Sequence, residues 1–88
     1  MKKVRVRPGL ITQNFGSELI VINGLQDKIC ILNQTGAVIF SALKTPLDKE
    51  QLLQLLSESF TTQREELVQD VDEYLQEMES LNLLQEVP

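Results

Sequence analysis

The carboxylates of the C-terminal half are the side chains with the most obvious capacity for chemistry. General acid–base catalysis requires a carboxylate in a partly dry cleft that shifts its pKa. Seven acidic residues fall within residues 63–81, and most of them avoid the apolar stripe of that segment: Glu65, Glu66, Asp70, Asp72, Glu73, Glu77 and Glu79. We therefore expect a solvated helix face rather than a pair of catalytic carboxylates.

The other reactive groups do not form a catalytic set either. Cys30 is the single cysteine, the chain contains no histidine to activate it, and Lys28 is the only nearby base. The lack of histidine also removes the usual zinc ligand sets and the His-based triads. The four glycines lie too far apart for a phosphate-binding loop. We expect no enzyme activity, no metal ion and no cofactor.

Composition limits the class of protein further. Eighty-eight residues with 42% hydrophobic side chains and a net charge of -5 indicate one small folded domain over residues 1–88. No apolar run is long enough to span a membrane, and the N-terminus lacks the pattern of a secretory signal. We expect a cytoplasmic protein that does not bind a membrane.

The first third of the chain reads as strands and turns. Residues 14–17 are a turn cluster, followed by a β-branched run at residues 18–22. The Gly-containing connection of residues 23–27 leads into a second apolar run at residues 28–32, which suggests a hairpin with a longer loop. In this second run Ile29 and Ile31 share one face, while Lys28, Cys30 and Leu32 share the other.

After Asn33 the apolar period changes from two to 3.6 residues. Asn33 is a good N-cap for a first helix, in which Gly36 is unfavourable, and the second helix is capped by Thr45 with Pro46 following or by Asp48. Thr62 and Glu65 form a capping-box pattern for a third helix over residues 63–81. Residues 83–87 are expected to be extended.

This order predicts an α+β domain with a three-stranded antiparallel sheet followed by three helices, the arrangement of a small winged helix-turn-helix. Such folds often bind DNA through a recognition helix, and phosphate contacts require basic side chains. The third helix has seven acidic residues and only Arg64 as a basic one. We therefore expect no nucleic-acid binding, with a DNA-binding or regulatory winged-helix protein as the alternative function.

The remaining function class is peptide or protein binding. An unpaired edge strand can accept an extended peptide through main-chain hydrogen bonds. Residues 28–32 are the candidate edge because they are apolar and carry only one charge. A central strand, or a strand covered by a helix, remains the alternative, and self-association through the exposed strand is a further possibility that predicts a homodimer.

Three segments in sequence order resemble the PqqD-like proteins, the recognition elements for precursors of ribosomally made, post-translationally modified peptides. Residues 32–40, Leu-Asn-Gln-Thr-Gly-Ala-Val-Ile-Phe, are similar to the family segment that follows its third strand. Residues 70–75 and 81–84 resemble the family's third helix and terminal segment, with Asn82 where many relatives have glycine and Phe40 in place of a frequent tryptophan.

The resemblance implies a non-catalytic protein that binds the leader segment of a precursor peptide and presents it to a modifying enzyme. The leader would pair with the strand Lys28, Ile29, Cys30, Ile31 and Leu32. The groove wall on the third helix would come from Val68, Val71, Asp72 and Leu75, although the apolar ones could equally be core. Asp70 could instead brace the structure.

The resemblance also implies the kind of partner. Pyrroloquinoline quinone (PQQ) biosynthesis would supply a radical SAM enzyme, and lasso-peptide biosynthesis would supply a leader peptidase and a cyclase. The residues do not distinguish these pathways. The N-terminal 44 residues carry a formal charge of +4, with six basic and two acidic residues, and the rest carry -9, with two basic and eleven acidic residues. A leader with some basic residues is therefore expected to bind better.

Overall fold

The computed structural model describes residues 3–60 and 63–87. Five strands and three helices follow one another in these ranges: β1 (Lys3–Val6), β2 (Ile11–Phe15), β3 (Glu18–Asn23), β4 (Lys28–Leu32), α1 (Gln34–Ala42), α2 (Lys49–Ser59), α3 (Arg64–Ser80) and β5 (Leu84–Val87). The predicted α+β class, with a three-stranded antiparallel sheet followed by three helices, is confirmed.

The three-stranded sheet has the order β2-β3-β4. Strands β2 and β3 join through a two-residue loop, because Phe15 pairs directly with Glu18. Gly16 in this loop has φ 66°, a left-handed conformation that glycine adopts without steric cost. The sequence pattern indicated a turn at residues 14–17, but Asn14 and Phe15 belong to β2.

A second, two-stranded sheet joins the two ends of the chain and was not predicted. Strand β1 pairs antiparallel with β5, from Lys3 opposite Val87 to Val6 opposite Leu84. Val4 also forms a bridge with Leu47 in the segment between α1 and α2. These pairings require contacts between distant parts of the chain, which a local pattern does not reveal.

The helix ends follow their local chemistry. The Asn33 side chain accepts a hydrogen bond from the Gly36 N–H, as predicted for an N-cap. For α2 the Asp48 alternative is correct, since Asp48 and Gln51 form a reciprocal capping box. Thr45 and Pro46 therefore precede the helix.

The N-terminus of α3 differs from the predicted capping box. Gln63 occupies the N-cap position and makes no side-chain capping bond. Thr62, the predicted cap, lies outside the described residues. At the other end, Asn82 has φ 62°, and the N–H groups of Asn82 and Leu83 donate to the carbonyls of Glu79 and Met78. These two bonds form a Schellman motif that turns the chain into β5.

The core lies between the inner face of the three-stranded sheet and the helices. Its buried members are apolar side chains from β3, β4, all three helices and the C-terminal segment: Leu19, Val21, Cys30, Leu32, Ile39, Phe40, Leu43, Leu52, Leu53, Leu56, Leu67, Val71, Met78, Leu83 and Leu84. This core holds β4 and α3 in fixed positions on one side of the domain.

Candidate functional site

Strand β4 forms one edge of the three-stranded sheet. It pairs antiparallel with β3, from Lys28 opposite Asn23 to Leu32 opposite Leu19, and no other described strand pairs with it. The alternative of a central strand is therefore excluded. Its second row of main-chain N–H and C=O groups is available to an added strand.

The side chains of β4 follow the predicted alternation. Cys30 and Leu32 are buried in the core, whereas Ile29 and Ile31 are 64% and 61% exposed. The only charged side chain of the strand, Lys28, is half-buried, and its Nζ donates to the Ser80 carbonyl oxygen at 3.3 Å. No exposed charge on this strand therefore opposes the pairing of an apolar peptide.

Helix α3 lies beside β4 and is attached near both ends of the strand. The Lys28–Ser80 bond forms one attachment, and the hydroxyl of Tyr74 donates to Asn33 Oδ1 to form the other. The same Asn33 oxygen accepts from the Gly36 N–H. One side chain thus joins the end of β4, the start of α1 and the middle of α3.

Gly36 explains how closely these elements approach. A Cβ atom at this position would lie 2.9 Å from Tyr74 Cε1 and 3.1 Å from Leu32 Cβ. Glycine is unfavourable within a helix, but the close packing of α1 against β4 and α3 requires it at position 36.

A polar cleft of about 350 Å³ opens where α3 passes the end of β4. Its lining combines the amide and hydroxyl groups of Asn33 and Thr35 with side chains of one face of α3: Asp70, Glu73, Tyr74 and Glu77. These carboxylates are exposed, as predicted for a solvated helix face. The cleft presents negative charge and one phenol next to the strand edge.

Two titratable groups of this region, the Tyr74 hydroxyl and the Cys30 thiol, have raised pKa values and stay protonated at neutral pH. Burial raises the pKa of the Tyr74 hydroxyl, and the neighbouring carboxylates Asp70, Glu77 and Glu73 raise it further. Burial also raises the pKa of the Cys30 thiol, with a smaller contribution from Glu77. A protonated, buried thiol is a poor nucleophile, so the site favours binding over covalent chemistry.

The comparisons agree with this geometry. The family model described as "Coenzyme PQQ synthesis protein D (PqqD)" matches residues 18–84, which is most of the chain. The chain belongs to the PqqD family. No curated protein matches its sequence. A solved structure described as "TbiB1 in Complex with the TbiA(beta) Leader Peptide" has a similar fold, with a TM-score of 0.79 and 15% sequence identity, covering 92% of this chain and 94% of that one.

The match to the PqqD family spans β3, β4 and the three helices. It therefore includes the strand edge, the Asn33 cap and the whole of α3. Strands β1 and β2 precede the matched range.

The predicted wall residues on α3 are not brought to β4 as a group. Val71 is fully buried in the core, and Val68 is half-buried against it. Asp72 forms an ion pair with Lys49 of α2, and Leu75 lines a separate cleft together with Leu52. Asp72 and Leu75 thus face α2 rather than the strand.

Three of the α3 residues that line the polar cleft at the end of β4 were not among the predicted wall residues. Asp70, Tyr74 and Glu77 recur at steps of four and three, which places them on one helix face adjacent to the buried stripe. That spacing is visible in the sequence. The bond between Tyr74 and Asn33 is not, because it joins residues 41 positions apart.

In the part of the chain that the structure describes, no group of three metal-ligating side chains is arranged to hold an ion. Likewise, no described helix has the length and hydropathy of a membrane span.

Proposed function

We propose that this protein binds the leader segment of a ribosomally made precursor peptide by strand addition to β4, and presents the precursor to a modifying enzyme without catalysing a reaction itself. The observation that carries the proposal is the unpaired edge of β4 in a PqqD-family fold. The single charged side chain of this strand, Lys28, is half-buried and bonded to Ser80 of α3. The similar structure of TbiB1, described in complex with a leader peptide, supports it.

The leader would lie between β4 and the face of α3 that carries Asp70, Tyr74 and Glu77. Its main chain would bond to Lys28–Leu32, and its alternate side chains would enter the space in front of α3. We prefer this wall to Val71, Asp72 and Leu75, since Val71 is fully buried and Asp72 pairs with Lys49. Val68 retains a secondary place in the proposal as a half-buried neighbour of the core.

The energetics require both parts of the site. Main-chain hydrogen bonds contribute about 0.5–1.5 kcal/mol each. A few such bonds do not reach the roughly -8 kcal/mol of a micromolar complex, so apolar side chains of the leader must add the rest.

The partners follow from the function. The precursor leader is the first partner, and the enzyme is a radical SAM protein in a PQQ-type pathway or a leader peptidase and cyclase in a lasso-type pathway. The genes beside this one would distinguish the two, because a PQQ precursor must contain the Glu and Tyr that become the cofactor. Since precursors are made on ribosomes, the proposal places the protein in the cytoplasm. A second copy of the chain is a separate candidate partner. No observation favours the DNA-binding alternative, because α3 is acidic.

An NMR titration tests the proposal directly. The labelled protein is titrated with the leader of a short precursor encoded beside its gene, and a scrambled leader of the same composition is the control. Saturable shifts at residues 28–33 and on the Asp70, Tyr74 and Glu77 face are expected for the native leader only. Flat spectra with an established precursor, or shifts confined to the α2 side of α3, would contradict the proposed site.

A proline variant separates main-chain from side-chain binding. Ile31→Pro removes one main-chain donor of β4, whereas Ile31→Ala keeps it and shortens the exposed side chain. If the Ile31 N–H faces the peptide, the proline variant is expected to weaken leader binding about tenfold or more and the alanine variant much less, measured by isothermal titration calorimetry. Equal affinities in two folded variants would argue against this register.

A further inference from the structure

The outer face of the three-stranded sheet is apolar and uncovered. Residues paired directly across antiparallel strands point to the same face, so the register defines two rows across the sheet. One row is Ile11, Ile22 and Ile29, and the next is Gln13, Ile20 and Ile31. Phe15 extends the same face beyond the second row. We call this surface the outer wing face and define it by its apolar members: Ile11, Phe15, Ile20, Ile22, Ile29 and Ile31.

Exposure shows that this face is distinct from the core. Ile11 and Phe15 are 59% and 67% exposed, similar to the two isoleucines of β4. The opposite side chains of the same strands, such as Val21 and Cys30, are buried beneath the helices. Of the residues in these rows, only Glu18, opposite Phe15 at the end of the sheet, is charged. Five isoleucines and a phenylalanine on one exposed face exceed what scattered surface residues explain.

We propose that the outer wing face packs against the same face of a second copy of this protein. The contact would be isologous, with two sheets packed face to face and their isoleucines interdigitated. Apolar side chains need no specific polar partner, so two copies of this apolar face can pack against each other. The helices pack on the inner side of the sheet, and the seven acidic residues of α3 in each copy therefore remain away from the contact.

The size of the surface sets the expected strength. Four side chains exposed by about 60% and two half-buried ones offer roughly 500 Å² of apolar surface, at the upper end of patches on monomeric proteins. A standard stable interface uses about 800 Å² per partner. The dimer should therefore be weaker than a standard one and reversible, with a dissociation constant in the micromolar to millimolar range.

The contact would leave the main-chain edge of β4 free for strand addition. It shares with the proposed leader site only the outward side chains of Ile29 and Ile31. Substitutions on β2 therefore test the dimer without touching the proposed leader site.

Sedimentation equilibrium on the full chain, from about 10 μM to about 1 mM, tests the proposal. The mean mass should rise from 10.0 kDa towards twice that value. The double variant Ile11→Glu with Phe15→Glu should raise the dissociation constant at least tenfold, because each copy would bury unpaired carboxylates. Thr12→Glu is the matched control, since Thr12 is an exposed β2 residue on the opposite face, paired with Val21. It should leave the dissociation constant within twofold.

The possible results are distinguishable. A monomer at all concentrations would overturn the proposal. An equal effect of Thr12→Glu would also overturn it, and so would binding of the outer wing face to a different protein without self-association. Circular dichroism confirms that each variant is folded. Leader affinity of the double variant should match that of the unmodified chain. A protein that dimerises but binds no leader would therefore refute the proposed function and leave this inference intact.

Discussion

The two sides of α3 use similar residue types for different purposes. The side that faces α2 carries Asp72 in an ion pair with Lys49, and its apolar neighbour Leu75 closes a cleft against Leu52. The other side carries Asp70 and Glu77, which are exposed and line the polar cleft together with Asn33, the residue that follows β4. On the first side, the charged residue Asp72 has an ion-pair partner within the fold. The second side lies near the main-chain edge of β4, with which no other described strand pairs. This difference is the reason that we propose the β4 side as the binding side.

The buried stripe between the two sides should show the largest effect. Val71 has no exposed surface, so Val71→Ala is expected to lower the free energy of unfolding by about 2–3 kcal/mol. Urea denaturation measures this loss, and Leu55→Ala at an exposed position of α2 is the control. Leader affinity of the folded Val71→Ala protein should be unchanged. A clear loss of affinity without loss of stability would return Val71 to the binding wall.

The joint between β4 and α3 should show the next largest effect. Asn33→Ala removes the acceptor of both the Gly36 N–H and the Tyr74 hydroxyl, which should cost about 1–2 kcal/mol of stability. Asp48→Ala removes the N-cap of α2 and should cost a similar amount. Of these two variants, only Asn33→Ala should also weaken leader binding, as measured by calorimetry, because Asn33 bonds to α3 whereas Asp48 caps α2. Equal affinities of the two variants would contradict that assignment.

Local patterns predicted the elements that depend on neighbouring residues. The range of β4 follows from its alternation, and the Asn33 and Asp48 caps follow from side chains that reach three residues along the chain. The first strand of the predicted three-stranded sheet was not located, because all five residues of β2 are exposed and show no alternation in burial. The pairing of β1 with β5 joins the two ends of the chain, which no short window contains.

The side of α3 that lies near the end of β4 was harder to predict for a related reason. The 3.6-residue period locates the buried stripe at Leu67, Val71 and Met78. It does not say which flank of the stripe will face the sheet and which will face α2. The tertiary contacts decide this. A family resemblance predicts the presence of a helix more reliably than the rotation of that helix about its axis.

The titration of Tyr74 should show a smaller effect that sharpens the comparison. Because its pKa is raised above the usual value of 10.0, the folded state favours the neutral phenol. Both states carry the neutral phenol below that value, so the contribution of Tyr74 to stability is complete there. It is lost as the pH rises from the unfolded pKa through the raised folded pKa, since the unfolded chain ionises first. Denaturation at a series of alkaline pH values measures the loss. Tyr74→Phe should abolish the part due to the phenol and leave the part due to the Cys30 thiol, whose pKa is also raised.

The same titration reports on the leader. Tyr74 is the single tyrosine and the chain contains no tryptophan, so the ultraviolet absorbance of tyrosinate follows this residue alone when the leader lacks both. A leader on the β4 side would bury the ring further and raise its pKa again. An unchanged titration at saturating leader would place the peptide elsewhere.

The smallest effect is expected for the matched carboxylates Asp70 and Asp72, and it bears most directly on the two sides. Asp72→Asn weakens a partly exposed ion pair and should cost at most about 1 kcal/mol of stability, with no change in leader affinity. Asp70→Asn should leave stability unchanged but weaken the binding of a leader with basic residues by a few fold at low salt. Added salt should remove that difference, because the charges are exposed and screened. A salt-independent affinity would contradict a contribution of Asp70 charge to leader binding. A larger effect of Asp72→Asn than of Asp70→Asn on binding would show that the peptide contacts the α2 side of the helix.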